Sequence, residues 1–249
     1  MPQYSIIIPA YNEGARLGAT LDRVLSYVAE HGWDTEVIVV NDGSRDNTAE
    51  LVLTRAKANP ALRFIENPGN HGKGYSVRNG MLNANGEILL FTDADLSAPV
   101  EQASKLFEAV ESGADVAVGS RWLQPELQEH RQSVLRQFYG RSFNLVLRLL
   151  LGLKFKDTQC GFKAFRRNAA KTLFSLQKID GWGFDAELLY MADRQGMKIK
   201  EVPVVWSDAA GTRIRPLRDG MKMIAEVLRI RWNALRGKYP CNYAAAEHA

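Results

Sequence analysis

The chain alternates between short apolar runs and segments with helical spacing over its first 119 residues. Between the runs, apolar side chains recur every three or four residues, as at Leu17, Leu21 and Val24. The runs are rich in Val, Ile and Leu, and they lie at Ser5–Pro9, Glu36–Val40, Leu62–Ile65, Glu87–Thr92 and Asp115–Val118. This order predicts βαβ units with right-handed crossovers, and therefore an α/β fold with a mostly parallel sheet.

Polar loops follow three of the predicted strands: Asn12 and Glu13 after the first, the loop 42–46 after the second, and Asp93 with Asp95 after the fourth. Ligands of such sheets bind at the carboxyl ends of the strands, so these loops are expected to share one edge. Residues two apart in an extended chain point the same way, so Asp93 and Asp95 are able to converge on one Mg²⁺ or Mn²⁺ ion. By itself, this pair is equally consistent with a solvated loop.

A glycine-rich loop, Gly69 to Gly74, opens the third predicted helix. It does not match the phosphate-binding P-loop pattern, because Gly74 rather than Ser or Thr follows Lys73. Lys73 at the start of a helix is still placed to reach a nucleotide. A glycine turn with a solvated lysine is the alternative.

Charge, cysteine content and the apolar segments indicate which partners and which cellular compartment to expect. A net charge of +4 and a pI near 9.0 suit anionic substrates or lipid surfaces, but they are too mild to indicate nucleic acid. The two cysteines, Cys160 and Cys241, form no disulfide framework or zinc motif, which favours a reducing compartment. No secretory signal precedes the first strand, and the apolar stretch 143–155 is too short to span a bilayer. We therefore expect a cytoplasmic protein.

Beyond Gly119 the chain is basic and aromatic. We predict a helix over 131–151, an extended return over 156–166, a helix from Gly183 with two early carboxylates, and a strand over 198–206. The last helix, 217–235, carries an apolar stripe beside a basic one, which fits either a lipid surface or ordinary packing. The prediction is one domain over 1–236, with a nucleotide-sugar half (1–119), an acceptor half (120–236) and a disordered tail (237–249).

Four motifs together resemble an inverting glycosyltransferase of family 2 with the GT-A fold, over about residues 4–236. They are Pro9-Ala-Tyr-Asn-Glu13, the segment Val40 to Thr48, Thr92-Asp-Ala-Asp95 and Gly119-Ser-Arg121. Three further segments, 72–80, 157–163 and 184–190, are similar to the dolichyl-phosphate β-glucosyltransferase branch. The resemblance implies a Rossmann-like, mostly parallel sheet flanked by helices, with amphipathic helices at the C-terminal end.

The resemblance also implies roles for the matching residues. Asp42 would bind the uracil ring, and Asp93 and Asp95 would hold the metal, Mg²⁺ or Mn²⁺. Arg121, Arg136 and Arg141 would hold the acceptor phosphate. The implied nucleotide-sugar contacts are Pro9, Tyr11, Glu13, Asp42, Lys73, Asp93 and Arg213, and the implied catalytic residues are Asp93, Asp95, Arg121 and Asp185.

The implied activity is transfer of glucose from UDP-glucose to a dolichyl or polyprenyl phosphate, with inversion. One alternative is a GDP-mannose-dependent or other family 2 transferase, and another is a nucleotide-sugar-binding scaffold on a membrane surface. The expected partners are the nucleotide sugar, the lipid phosphate and the cytoplasmic face of a membrane, to which the protein would bind peripherally. A homo-oligomer is left open, and nucleic acid is not expected.

Overall fold

A computed structural model describes residues 1–130, 134–207, 216–241 and 243. Arg213 lies outside the described residues. The side chains of 129–130, 134–139, 141–143 and 216–219 also lie outside them, so the predicted roles of Arg136 and Arg141 stay predictions.

A seven-stranded sheet forms the centre of the fold, in the order β3-β2-β1-β4-β7-β5-β8. A separate two-stranded sheet joins β6 and β9. The strands are β1 Tyr4–Ala10, β2 Thr35–Asn41, β3 Leu62–Glu66, β4 Ile88–Thr92, β5 Val116–Ser120, β6 Gln128–His130, β7 Phe162–Arg166, β8 Ile199–Pro203 and β9 Trp206–Ser207. The predicted mostly parallel α/β sheet is confirmed.

Helices cover both faces of this sheet and shield its apolar strands from water. The α-helices are α1 Leu17–Glu30, α2 Thr48–Ala58, α3 Lys73–Asn83, α4 Ala103–Glu111, α5 Val134–Leu151, α6 Arg167–Leu176, α7 Phe184–Arg194 and α8 Pro216–Leu235, with short 3-10 helices at Val100–Gln102 and Pro125–Leu127. One core packs α1, α2 and α4 on the sheet, and the other packs α3, α6, α7 and the inner sides of α5 and α8.

The strand β7 runs antiparallel between β4 and β5, whereas the other strand pairs of this sheet are parallel. Its register pairs Phe91 with Lys163 and Thr92 with Phe162. The predicted extended return over 156–166 therefore inserts into the sheet. It brings the preceding loop, 157–161, beside the end of β4.

Two regions near the C-terminal end bear on predictions made from the sequence, the packing of the last helix and the disorder of the tail. In α8, Val227 and Ile230 are buried, whereas the described members of the predicted apolar stripe, Met221, Ile224, Leu228 and Leu235, are exposed and do not pack on the domain. Disorder was predicted for 237–249, but Tyr239 is buried in the core and its hydroxyl donates a 2.6 Å hydrogen bond to Glu187. Among the described residues, no helix is both long and apolar enough to cross a bilayer.

Candidate active site

The first two predicted loops meet at the carboxyl ends of β1 and β2, which are neighbours in the sheet. The backbone N–H of Asn12 donates to Ser44 Oγ at 2.8 Å, and that of Glu13 donates to Thr48 Oγ1 at 2.9 Å. In return, the Arg45 N–H donates to Asn12 Oδ1 at 2.7 Å. The predicted convergence of these loops is therefore present in the structure, with a polar network that fixes one loop to the other.

Asp42 anchors the glycine-rich loop. Its buried carboxylate accepts hydrogen bonds from the N–H groups of His71 and Gly72 and from Asn67 Nδ2, at 3.0, 2.8 and 2.8 Å. Because Gly72 directly precedes α3, these bonds fix the position at which the helix and Lys73 begin. The sequence predicted a uracil contact for Asp42 and gave no sign of this internal role; the uracil contact stays a prediction.

Lys73 spans the site and pairs with Asp93 at the end of β4. Its Nζ lies 2.5 Å from Asp93 Oδ1 and 5.3 Å from the centroid of the Trp182 ring. Burial lowers the pKa of Lys73, but the carboxylates of Asp93 and Asp185 outweigh it and the pKa is raised overall. Lys73 is therefore an ammonium group held inside the site, and the alternative of a solvated lysine is wrong.

Asp93 and Asp95 follow β4 in a tight turn rather than in the extended chain that the Asp-x-Asp spacing predicted, because the Leu96 N–H donates to the Asp93 carbonyl at 3.1 Å. Burial raises the pKa of Asp93; Lys73 opposes that rise and Asp95 adds to it. Asp95 Oδ1 accepts a hydrogen bond from the Ser97 N–H at 3.0 Å, and its Oδ2 lies 3.8 Å from Arg16 Nη1. Both side chains stay partly open, with 34% and 25% of their surface exposed.

Gly161 makes room for the Asp93 carboxylate. A Cβ atom at position 161 would lie only 2.3 Å from Asp93 Oδ2, so a larger residue would displace the carboxylate.

In the part of the chain that the structure describes, no group of three His, Cys, Asp or Glu side chains is placed to bind a metal. The two aspartates fit a Mg²⁺ or Mn²⁺ ion that takes its other ligands from substrate phosphates and water.

Arg121 forms a bidentate ion pair with Asp157. Nε donates to Oδ2 at 2.7 Å and Nη2 to Oδ1 at 2.9 Å, and the backbone N–H of Arg121 adds a third bond at 3.0 Å. Burial raises the pKa of Asp157, but Arg121 outweighs it and the pKa lies below its usual value. The pair occupies two of the five guanidinium N–H groups, which leaves the others for an anion.

Lys163 is a charged residue that the sequence analysis missed. It is fully buried on β7, and its Nζ donates to Asp185 Oδ1 at 2.5 Å and to the Cys160 carbonyl at 2.6 Å. Asp185 begins the first turn of α7, as predicted. Phe162 and Phe165 lie on opposite faces of β7, which indicates that both faces are buried, but the sequence does not show which carboxylate pairs with Lys163.

The remaining predicted residues border this centre. Pro9 lies in β1, Tyr11 follows that strand and is partly exposed, and Glu13 forms an ion pair with Arg16. The structure therefore brings the strand-end carboxylates, Lys73 and Arg121 to one edge of the sheet. The positions of Arg136, Arg141 and Arg213 relative to it lie outside the described residues.

This fold, with paired aspartates at the end of a central parallel strand, defines a glycosyltransferase of the GT-A type. The profile of the family described as glycosyl transferase family 2 matches residues 5–174. The chain belongs to that family and is a glycosyltransferase.

Curated relatives cover nearly the whole chain. A dolichyl-phosphate β-glucosyltransferase of Trichomonas vaginalis is 35% identical over 236 residues, which are 91% of this chain and 70% of the relative. The dolichyl-phosphate β-glucosyltransferase of Saccharomyces cerevisiae is 34% identical over 257 residues, 96% of this chain and 77% of the relative.

Among solved structures, a glucosyl-3-phosphoglycerate synthase of Mycobacterium tuberculosis is similar in fold. That structure contains Mn²⁺, UDP-glucose and phosphoglyceric acid, and it aligns with a TM-score of 0.67 and 22% identity over 92% of this chain and 79% of its own. The likeness confirms the GT-A fold predicted from the motifs.

Proposed function

We propose that the protein transfers glucose from UDP-glucose to a dolichyl or polyprenyl phosphate, with inversion at the anomeric carbon and dependence on a divalent cation. The relatives named dolichyl-phosphate β-glucosyltransferase support the sugar and the acceptor. The observation that carries the proposal is the position of Asp93, which lies at the end of β4 between the Lys73 ammonium and Gly161 with Asp95 beside it. This arrangement suits a diphosphate leaving group.

The donor is proposed to lie across the ends of β1, β2 and β4. Pro9, Tyr11 and Glu13 would border the nucleoside, and Asp42 would accept a hydrogen bond from uracil. Asp42 already accepts three hydrogen bonds, and an ionised carboxylate has about four acceptor sites, so it retains room for one more. Lys73 would neutralise charge on the diphosphate, and Arg213 is proposed to approach from the other side.

Asp93 and Asp95 would hold the Mg²⁺ or Mn²⁺ ion. Bound there, the ion supplies Lewis-acid stabilisation of the negative charge on the departing UDP. The protein's own part is to keep the two carboxylates in place, through Lys73 and Gly161 at Asp93 and through the Ser97 N–H at Asp95. The neighbouring structure with Mn²⁺ and UDP-glucose supports the choice of ion and donor.

The acceptor phosphate is proposed to meet Arg121, with Arg136 and Arg141 contributing as the family resemblance implies. A phosphate is an anion near neutral pH, so the nucleophile needs a cationic site more than it needs a general base. Guanidinium groups suit phosphate because their planar N–H groups match its oxygens. Asp157 holds Arg121 by two hydrogen bonds and so orients it before the acceptor arrives.

The acceptor's lipid chain requires an apolar surface, and α5 and α8 provide one. We define the outer helix face as the exposed apolar side chains of these two packed helices: Leu145, Val146, Leu149, Met221, Ile224, Leu228, Trp232 and Leu235. Exposed basic residues flank them on α8, at Lys222, Arg229 and Arg236. An amphipathic surface of this kind favours peripheral binding to anionic lipids, which we propose for the cytoplasmic face of a membrane.

A donor panel tests this function. The purified protein is incubated with Mg²⁺, polyprenyl phosphate and radiolabelled UDP-glucose, UDP-galactose or GDP-mannose, and the lipid phase is extracted. We expect label in the lipid phase from UDP-glucose. Label from GDP-mannose instead would replace the proposed donor, label in a water-soluble product alone would contradict the lipid acceptor, and full activity in the presence of a chelator would contradict the metal.

A further inference from the structure

Lys163 is a fully buried cation on β7, the strand that runs antiparallel between β4 and β5. Removing a lysine ammonium from water costs free energy unless the group is paired, and here Lys163 donates to Asp185 and to the Cys160 carbonyl. Replacing such a pair by apolar residues is often neutral or stabilising, so stability alone gives a weak reason for this lysine.

The sheet register places Lys163 on the same side of the sheet as Phe91 and Phe165, which is the side that α3, α6 and α7 cover. Lys163 is paired with Phe91, and the next residues on the same side of the two strands are Gly161 and Asp93. The close approach of Gly161 to the Asp93 carboxylate shows that this pairing continues past the strand ends. Lys163 and Asp93 therefore project to the same side of the sheet.

Asp185 links Lys163 to the site. The hydrogen bond that its carboxylate makes among the described residues uses Oδ1, and Oδ2 stays available as an acceptor. Asp185 follows Phe184 at the start of α7, and Phe184 packs against the start of α3: a Cβ atom at Gly74, next to Lys73, would lie 2.8 Å from Phe184 Cβ. The adjacent ring of Phe184 lies 6.0 Å from Lys73 Nζ.

We propose that Lys163 is a positioning residue, whose buried ammonium fixes the Asp185 carboxylate so that its second oxygen is presented to the reacting substrates. The proposal rests on the proposed glucosyl transfer and adds a residue to it. The Lys163 side chain has no exposed surface, whereas 5% of the Asp185 side chain is exposed, so Lys163 acts through Asp185 rather than by touching the substrates itself.

Three variants test the proposal: Lys163→Met, Asp185→Asn and the double variant, each assayed for lipid-phase transfer per folded molecule. We expect Lys163→Met to lower kcat by about 10- to 100-fold, the range that small errors of position cost, with little change in KM for UDP-glucose. The double variant should have the same kcat as Asp185→Asn alone, because Lys163 acts only through that carboxylate.

Asp115→Asn is the matched control for loss of a buried charge. Asp115 is buried just before β5, where it accepts hydrogen bonds from the Lys198 N–H at 2.8 Å and the Tyr243 hydroxyl at 2.7 Å. It should lower the melting temperature and leave the kcat of the folded protein unchanged. A wild-type kcat in folded Lys163→Met would overturn the proposal.

The double variant decides the question if Lys163→Met does not fold by itself. A kcat equal to that of Asp185→Asn supports the proposal, and a kcat further reduced by the loss of Lys163 overturns it. An absence of transfer in the wild-type protein would instead refute the proposed function, so the two failures are distinguishable.

Discussion

The carboxyl edge of the sheet and the outer helix face differ in how they treat charge and apolar surface. At the sheet edge, charged groups are enclosed and paired: Lys73 with Asp93, Arg121 with Asp157 and Lys163 with Asp185. On the outer helix face, large apolar side chains are left in water, with Leu149 75% exposed and Leu235 81% exposed. The first region is organised before any ligand arrives, and the second lacks a partner within the described part of the chain.

This difference matches the two tasks of the proposed transfer, binding a diphosphate donor and binding a lipid acceptor, which make different physical demands. Charge that develops on a leaving diphosphate is best stabilised by groups that need no reorganisation, which paired and partly buried charges provide. A long isoprenoid chain offers no polar handle, so it is best met by apolar area. The predictions below perturb one region at a time and ask whether the other is affected.

The largest effect is expected from Asp95→Ala. Loss of a metal ligand should remove several kcal/mol of transition-state stabilisation, or about 10³-fold in transfer rate, with the melting temperature little changed. Glu101→Ala is the control, since Glu101 lies six residues after Asp95 in the chain and its exposed carboxylate pairs with Arg23 on α1. Transfer by Asp95→Ala at the wild-type rate would rule out the proposed metal ligand.

The alternation of the first 119 residues predicted the parallel strands and their order along the chain, because burial on both faces leaves a strong apolar signal. It also placed the polar loops at one edge. The antiparallel direction of β7 was not predictable, because the side-chain pattern of a five-residue strand does not show whether it pairs parallel or antiparallel with its neighbours.

Among the site residues, the positions of Asp93, Asp95 and Lys73 at the sheet edge were predictable from the order of strands and helices, whereas their roles came from the family resemblance and stay predictions. Their partners were not predictable, because an ion pair such as Arg121 with Asp157 depends on which distant segments meet. Lys163 was missed for the same reason. A buried lysine is chemically indistinguishable in sequence from an exposed one until its partner, Asp185, is placed beside it.

The second prediction concerns Asp157→Asn. Removing one member of a buried ion pair leaves Arg121 without its counter-charge, which should cost about 3–5 kcal/mol of unfolding free energy at neutral pH. Urea unfolding of the variant and the wild type measures this difference. A difference below 1 kcal/mol (about the value of an exposed pair) would show that the pair is not stabilising the site.

The third prediction concerns how the stability of the wild type and of Asp157→Asn depends on pH. Arg121 holds the pKa of Asp157 below its ordinary value, so the carboxylate stabilises the folded state above the unfolded-state pKa. That stability should be lost as the pH falls through the lowered folded-state pKa. The wild type and Asp157→Asn should therefore converge in stability at low pH, and a gap that widens on acidification would contradict the assigned direction.

A smaller effect is expected from Leu228→Ser combined with Trp232→Ser on the outer helix face. A fully inserted side chain of this size contributes about 1.5–3 kcal/mol, and Leu228 and Trp232 are 54% and 53% exposed, so their loss together should weaken binding to anionic vesicles by about ten- to a hundredfold. Sedimentation with vesicles measures the binding. Leu53→Ser on α2 is the control, since Leu53 is 47% exposed but lies away from the outer helix face.

The smallest effect is expected from Tyr239→Phe, which tests the packing of the segment after α8. The hydroxyl donates to Glu187, and Glu187 also accepts hydrogen bonds from the Lys178 and Ile179 N–H groups. The substitution removes the bond to Glu187 and the one that the hydroxyl accepts from Asn233 Nδ2 at 3.2 Å, which together should lower the unfolding free energy by about 1–2 kcal/mol. An unchanged stability would indicate that the hydroxyl is not bound to Glu187 in solution.

The central claim is that the sheet edge carries out the transfer and the outer helix face binds the lipid. It is tested most directly by comparing two acceptors in the same transfer assay. One is a long polyprenyl phosphate in anionic vesicles, and the other is a short prenyl phosphate that dissolves in water. The Leu228→Ser, Trp232→Ser variant should transfer glucose to the soluble acceptor at the wild-type rate and to the vesicle-bound acceptor about ten- to a hundredfold more slowly. Equal losses with both acceptors, or no loss with either, would contradict the account.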